Sequence, residues 1–192
     1  MVKMEIKGLL MDPVSNMPVV ILRDAENGLF LPIWVGIFEA NAIALEMEKV
    51  ATPRPMTHDL LKNLLTELGT RVDRVVINEL KENTFFARIH LTRGDSTLSV
   101  DSRPSDAIAL ALRSNAEIFV EELVLEKSRS LRAEGSEQDP DRLRKWLEEA
   151  SPDELGKYRM GTKRPTALSN AARDIDDYRL TSDERYRDLM SN

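Results

Sequence analysis

The sequence predicts an α+β fold built on a duplicated unit of three strands and one helix, and three observations carry that expectation. Short runs rich in Val, Ile and Phe, separated by turn residues, open each half of the first 126 residues. A segment rich in Ala and Leu closes each half. The halves also overlay: at an offset of 65 residues, Ala42-Ile43-Ala44-Leu45 falls on Ala107-Ile108-Ala109-Leu110, Asn41 on Asp106, Val35 on Val100, and Val20-Ile21-Leu22 on Phe85-Phe86-Ala87. Chance matching of Ala-rich helices is the competing explanation. If the repeat is real, two such sheets sandwich the helices they supply, because a sheet face and a helix stripe each need an apolar partner.

Val2 to Met11, Pro18 to Arg23 and Leu29 to Val35 read as strands, divided by Asp12-Pro13 and by the hairpin signal Glu26-Asn27-Gly28. Ile37 to Lys49 holds helix formers and no Gly or Pro, so it reads as a helix that Pro53-Arg54-Pro55 ends. Thr57 is placed to cap the next helix, with Asp59 in its first turn. Its Leu60, Leu64 and Leu68, flanked by Leu61 and Leu65, make an apolar stripe that stops at Gly69. Val72 to Leu80, Thr84 to Leu91 and Thr97 to Val100 repeat the strand pattern, with Glu82-Asn83 and Arg93-Gly94-Asp95 as turns. Pro104 to Arg113 reads as a helix capped by Asp101 or Ser102, since Pro is tolerated in a first turn. Ile118 to Leu125 reads as a last strand, placed at a sheet edge by Glu121-Glu122.

The core is expected to end near Glu126, where the composition shifts to Arg, Asp, Glu and Ser. Asp139-Pro140 opens a helix to Ala150 with Leu143, Trp146 and Leu147 on one face, so residues 127–160 read as a helical arm. Residues 161–192 scatter Leu, Met and Tyr among charges and read as a poorly ordered tail, or one contingent on a partner.

Charge and composition exclude several function classes. With 192 residues, 42% hydrophobic, the chain affords one core plus an appendage. Its net charge is −6, an excess that falls wholly before residue 127, and this argues against a nonspecific clamp on duplex DNA. Without cysteine there is no disulfide, thiolate zinc site, iron–sulfur cluster or thiol nucleophile. The N-terminal apolar residues are interrupted by charge and no apolar run approaches the ~20 residues of a membrane span, so a cytoplasmic protein is expected.

No standard catalytic motif is present, and the two histidines, His58 and His90, are too far apart to form a helical ligand pair. His90 reads as an ordinary strand histidine. Any metal site would be oxygen-rich and suited to Mg²⁺ or Mn²⁺. Three polar clusters stand out. Pro53-Arg54-Pro55-Met56-Thr57-His58-Asp59 delivers a cation, an imidazole and a carboxylate to a helix start, which is either a phosphate-facing corner or a plain cap. Asp101-Ser102-Arg103-Pro104-Ser105-Asp106 places more polar groups around a helix start than a cap uses. Glu39 sits in the first turn of the duplicated helix near the level of Pro104, where an ion pair with Arg103 and a metal or base role are equal readings.

LPIWVGIFEANAIAL, PRPMTHDLL and VDSRPSDAIALALR, in this order and spacing, resemble the bifunctional nuclease domain family of bacteria and plants. The resemblance covers residues 1 to about 126, with a looser echo in DRLRKWLEEASPDELGKYRM. It implies an α+β fold with a duplicated unit, self-association, and cleavage of DNA and RNA. The positions it picks out are Glu39, Arg54, Thr57, His58, Asp59, Asp101, Arg103, Ser105 and Asp106.

Two functions are weighed on this basis. In the first, a metal-dependent phosphodiesterase, Glu39, Asp101 and Asp106 hold Mg²⁺ or Mn²⁺. His58, with Asp59, handles the proton, Arg54 or Arg103 binds phosphate, and Thr57 and Ser105 touch substrate. Nucleic acid then binds weakly, single strands more readily than duplex. In the second, a non-enzymatic module regulates a nucleic-acid machine such as transcription, with Arg142-Leu143-Arg144-Lys145 and Lys163-Arg164 as contacts. A homodimer is expected in either case, through the edge at Ile118, with Trp34, Phe38, Phe85 and Phe86 as core aromatics. A monomer with a masked edge is the alternative.

Overall fold

The computed structural model describes residues 1–12 and 15–133. Strands β1 (Val2–Met11), β2 (Pro18–Asp24) and β3 (Phe30–Trp34) lead into helix α1 (Ile37–Met47) and then α2 (Thr57–Glu67). Strands β4 (Arg71–Lys81), β5 (Thr84–Arg93) and β6 (Ser96–Ser102) lead into α3 (Pro104–Ser114), followed by β7 (Glu117–Val120) and α4 (Glu122–Ala133). The expected α+β class and its three-strand-plus-helix units are present.

The turns behave as their residues dictate. Glu82 and Asn83 both take positive φ, which gives the two-residue β4–β5 hairpin a backbone twist matched to its strands. Asp24 is buried at the β2–β3 turn, where it accepts from the Glu26 N–H at 2.8 Å and the Asn27 side-chain amide at 2.8 Å. Those two bonds hold its carboxyl below the usual range despite burial.

The seven strands form one sheet in the order β3-β2-β1-β7-β4-β5-β6, not two separate sheets. The two antiparallel meanders are joined by β7, which pairs antiparallel with β1 and parallel with β4. The order is symmetric about β7, and the two expected units lie on either side of it. The duplicated tetrapeptides are buried in corresponding helices: Ala42 to Leu45 in α1 and Ala107 to Leu110 in α3. α3 is apolar around most of its circumference, so it belongs in the interior, with Ile108 and Leu110 fully buried. Each such side chain contributes roughly 1.5–3 kcal/mol relative to exposure.

The expected edge strand from Ile118 to Leu125 is corrected on two counts. β7 is central, and it stops at Val120, where the Glu121 N–H donates to the Ile77 carbonyl at 3.0 Å and α4 begins. Val124 and Leu125, the apolar pair that read as strand, are buried in the main core from one face of α4. The dimer interface expected at Ile118 therefore has no edge to use. α4 continues past residue 126, with Ser128 buried and donating to the Leu125 carbonyl at 2.9 Å. The rest of the expected arm (127–160), from residue 134 onward, and all of the tail (161–192) lie outside the described residues.

Phe38, expected in the core, is 88% exposed, while Phe85, Phe86 and Trp34 are partly buried. Trp34 is held by its indole N–H, which donates to Asp12 Oδ2 at 3.1 Å. Among the described residues no helix is long and apolar enough to cross a membrane.

Candidate active site

Three helix starts supply one connected polar chain. Arg103 is the N-cap residue of α3, ahead of Pro104 at the first helical position, so the expected cap by Asp101 or Ser102 is not the one used. Its guanidinium donates from Nη1 to Glu39 Oε1 at 2.7 Å, from Nε to Asp106 Oδ2 at 2.7 Å and from Nη2 to Asp106 Oδ1 at 3.1 Å. Asp106 Oδ1 lies 3.0 Å from His58 Nε2. Glu39 is in the first turn of α1, His58 in that of α2 and Asp106 in that of α3. Each helix start carries positive partial charge, which favours the carboxylates placed there.

The Glu39 side chain folds back over Gly36 as it meets Arg103. A Cβ at Gly36 would collide with Glu39 Oε2, so the glycine leaves the room in which that carboxylate folds back. Arg103 and Asp106 are three residues apart on one helix, a spacing that brings side chains onto the same face. The guanidinium fork then takes both oxygens of the Asp106 carboxylate.

A second link ties α2 to the interior. Asp59 accepts from the Met56 backbone N–H at 2.8 Å, so Met56, not the expected Thr57, occupies the N-cap position of α2. Its other oxygen accepts from Arg113 Nε at 2.5 Å. The Arg113 side chain is only 5% exposed, and it also donates to the Ala109 carbonyl at 3.0 Å and the Ala42 carbonyl at 3.1 Å. One guanidinium thus holds α1, α2 and α3 together. Arg113 escapes sequence reasoning because a basic residue in a last helical turn is usual on electrostatic grounds alone.

Burial pushes the Asp106 carboxyl up, but hydrogen bonds from Arg103 and His58, with their charges, outweigh it and hold the group below its ordinary value. Asp59 is likewise pushed up by burial and brought below its ordinary value by Arg113 and the Met56 N–H. Hydrogen bonds to Asp106 and Glu39 raise the Arg103 pKa. Because both carboxyls are depressed on folding, the stability they contribute is complete above the unfolded value, about pH 4, and is lost as pH falls through the folded values. Melting temperature followed from pH 6 down to pH 3 should show a shallower acid loss in Asp59→Asn and Asp106→Asn than in the wild-type chain. Parallel acid limbs would contradict this assignment.

The remaining expected site residues are dispersed. Asp101 is exposed on β6, opposite Arg88 of β5. Ser105 is 6% exposed and packs inside α3. Thr57 is exposed at the start of α2, and Arg54 is exposed in the preceding loop, where its carbonyl accepts from the Thr52 hydroxyl at 2.8 Å. His90 is half-buried on β5, its pKa lowered first by burial and then by Arg74 and Arg88. The open depression of about 270 Å³ lined by Lys62, Leu65, Thr66 and Arg71 lies at the far end of α2 from His58.

The metal triad of Glu39, Asp101 and Asp106 does not assemble. Among the described residues no group of three or more Asp, Glu and His is placed to hold a metal ion. Arg103 already sits between Glu39 and Asp106 and takes one oxygen of the first and both of the second. These carboxylates therefore do not fit a resident Mg²⁺ or Mn²⁺ ion, because the positive charge such an ion would bring is supplied by the guanidinium.

Phe38 is the residue of the site that the sequence reading misplaced. It adjoins Glu39, projects into solvent, and stands at the offset of 65 from Arg103, so the repeat puts an aromatic ring and a guanidinium at matching helix starts.

The bifunctional nuclease domain matches residues 20–132. An uncharacterized protein of Mycobacterium tuberculosis is 37% identical over 162 residues, which are 80% of this chain and 97% of that protein. Bifunctional nuclease 1 of Oryza sativa subsp. indica is 27% identical over 58% of this chain and 34% of its own length. Bifunctional nuclease 2 of Arabidopsis thaliana is 29% identical over 59% of this chain and 35% of its own length.

Proposed function

Since the chain belongs to the bifunctional nuclease domain family, we propose that it hydrolyses phosphodiester bonds of DNA or RNA at the Glu39–Arg103–Asp106–His58 chain. The observation that carries this reading is that one imidazole, one exposed guanidinium and two carboxylates from three helix starts meet in a single hydrogen-bonded chain.

A depressed Asp106 is ionised at neutral pH and is acceptor-only, so His58 Nε2 carries the hydrogen between them. In the neutral ring Nδ1 is then the nitrogen with a lone pair. It takes a proton from water as the water oxygen attacks phosphorus. The bond to the leaving oxygen breaks with its electron pair, and the imidazolium returns the proton to that oxygen. Asp106 orients the ring and stabilises the imidazolium, the role a carboxylate has behind a general base. Arg103, 65% exposed along its side chain, binds the phosphate while Glu39 holds the guanidinium in place. Arg54, exposed and with a stiff Pro53–Pro55 loop around it, is a second phosphate contact. Phe38 offers a face on which a base can stack, which suits single strands. Mg²⁺ or Mn²⁺, if it contributes, arrives with the nucleic-acid phosphates, because the carboxylates present are engaged by Arg103.

The regulatory alternative has one observation in its favour: both carboxylates around Arg103 are satisfied within the chain, as they would be in a purely structural ion-pair network. A labelled single-stranded DNA and an RNA of the same sequence separate the two readings. The full chain should cleave at least one of them, with or without added Mg²⁺ or Mn²⁺, and His58→Ala purified alongside should lose about 10²-fold or more. Equal rates in both preparations would leave the binding-module reading standing.

A further inference from the structure

The polar anchors of α2 lie at one end. His58 and Asp59, in its first turn, meet Asp106 and Arg113. Beyond them Leu65 packs against the core, while Leu60, Leu61, Leu64 and Leu68 are exposed and no α2 residue is fully buried. Where the last turns of α2 face β4 and the end of α3, the depression of about 270 Å³ stays open between them. Lys62 and Thr66 of α2, Thr70 and Arg71 after it, and Ser114 at the end of α3 all line it.

Both charged groups of this lining are cations and no carboxylate joins them, in a chain whose acids outnumber its bases 33 to 27. Lys62 is partly buried, and among the described residues its ammonium makes no ion pair or hydrogen bond. Arg71 places Nη2 at 2.7 Å from Asp73 Oδ1, which leaves other N–H groups of its fork for a second anion. The Ser114 hydroxyl oxygen is buried with no hydrogen-bond partner, a polar group left short inside the protein. The carbonyls at the end of α2, which would repel an anion, are capped: the Gly69 N–H donates to the Thr66 carbonyl at 2.9 Å and the Thr70 N–H to the Leu65 carbonyl at 2.8 Å.

We propose that this depression binds a terminal phosphate group and that the bound anion pins the far end of α2 to β4 and α3. Such a group carries close to two negative charges and three acceptor oxygens, which suits two cations and neighbouring hydroxyls, whereas a carboxylate brings one charge. The volume is at the low end for a ligand pocket, so the ligand is small. Thr66 is eight residues past His58, about 12 Å along the helix axis. The anion therefore acts on the imidazole only through the helix that carries both. Two sources share this chemistry: inorganic phosphate, and the terminal phosphate of a nucleotide, which phosphodiester cleavage produces. Only the second source rests on the nuclease reading, and binding is measured without cleavage, so the two fail separately.

Magnetic resonance of the isotope-labelled full chain, titrated with inorganic phosphate and separately with adenosine monophosphate, should show saturable shifts at the amides of Thr66, Gly69, Thr70 and Arg71. The dissociation constant should be about 1 mM. Lys62→Met and Arg71→Met should each weaken it by about tenfold or more with the circular dichroism unchanged, and Arg103→Met should leave it in place. A smaller constant for the nucleotide identifies the nucleotide end as the ligand, and equal constants identify phosphate alone. At ten times the dissociation constant, hydrogen exchange in the last turns of α2 should slow about tenfold in the wild type and not in Lys62→Met. Shifts absent from these amides or confined to the surroundings of Arg54 and Arg103, or a constant indifferent to both Lys62→Met and Arg71→Met, would overturn the site. Exchange unchanged at saturation would overturn the pinning of α2.

Discussion

Arg113→Met is expected to destabilise the domain by about 3 kcal/mol, the low end of what breaking a buried ion pair costs. Methionine keeps much of the volume of the arginine stem but removes every donor. Asp59 would lose its cation, and the carbonyls of Ala42 and Ala109 would lose their donors. Each is a polar group left short inside a junction of three helices, which is costlier than the net worth of the bonds themselves. Urea unfolding followed by circular dichroism should show the midpoint falling with the slope unchanged. An unmoved midpoint would mean that the three helices are held by their apolar contacts alone.

Arg103→Met should act on activity far more than on folding. The side chain is 65% exposed, so the fold rests on it only through the stability its bonds lend Asp106. Without the guanidinium, Glu39 and Asp106 face each other with no cation between them, and the Asp106 carboxyl loses the largest influence lowering its pKa. Cleavage should fall about 10²-fold or more, the loss seen when one preorganised phosphate or oxyanion donor is removed. The two freed carboxylates should also gain affinity for Mn²⁺, readable by calorimetry as binding absent from the wild-type chain. Unchanged cleavage would take Arg103 out of the site and leave it a structural ion pair.

How much of this was legible in the sequence differs by element. The six strands of the two meanders and helices α1 to α3 follow from local signals: β-branched runs, Asn-Gly and Glu-Asn turns, and a proline at the first position of α3. The single sheet did not follow, because β7 has only four residues and its central position is set by pairing with β1 and β4, partners far away in sequence. The apolar stripe of α2 was legible as a stripe, but pattern alone does not say which way a helix is turned. The inward side is decided by His58, Asp59 and their partners on α3. The ion pair between Glu39 and Arg103 was one of two readings of equal standing, and the structure has it. Asp101 read as a metal ligand because it belongs to the polar cluster Asp101 to Asp106, which holds more polar groups than a helix cap uses. It stands exposed on β6 opposite Arg88, and no ion pair joins it to Arg103 or Glu39 among the described residues. Arg113 carries no local signal, since its two carbonyl acceptors and its carboxylate come from three different helices.

The central claim is that His58 and Asp106 act as one unit in cleaving phosphodiester bonds. It is tested most directly by the cleavage rates of four preparations purified side by side: wild type, His58→Ala, Asp106→Asn and the double variant. Groups that act as a unit are strongly non-additive. The account predicts that each single change lowers the rate about 10²-fold or more and that the double variant is no slower than the slower single one. Equal rates in all four preparations, or losses that multiply in the double variant, would contradict it.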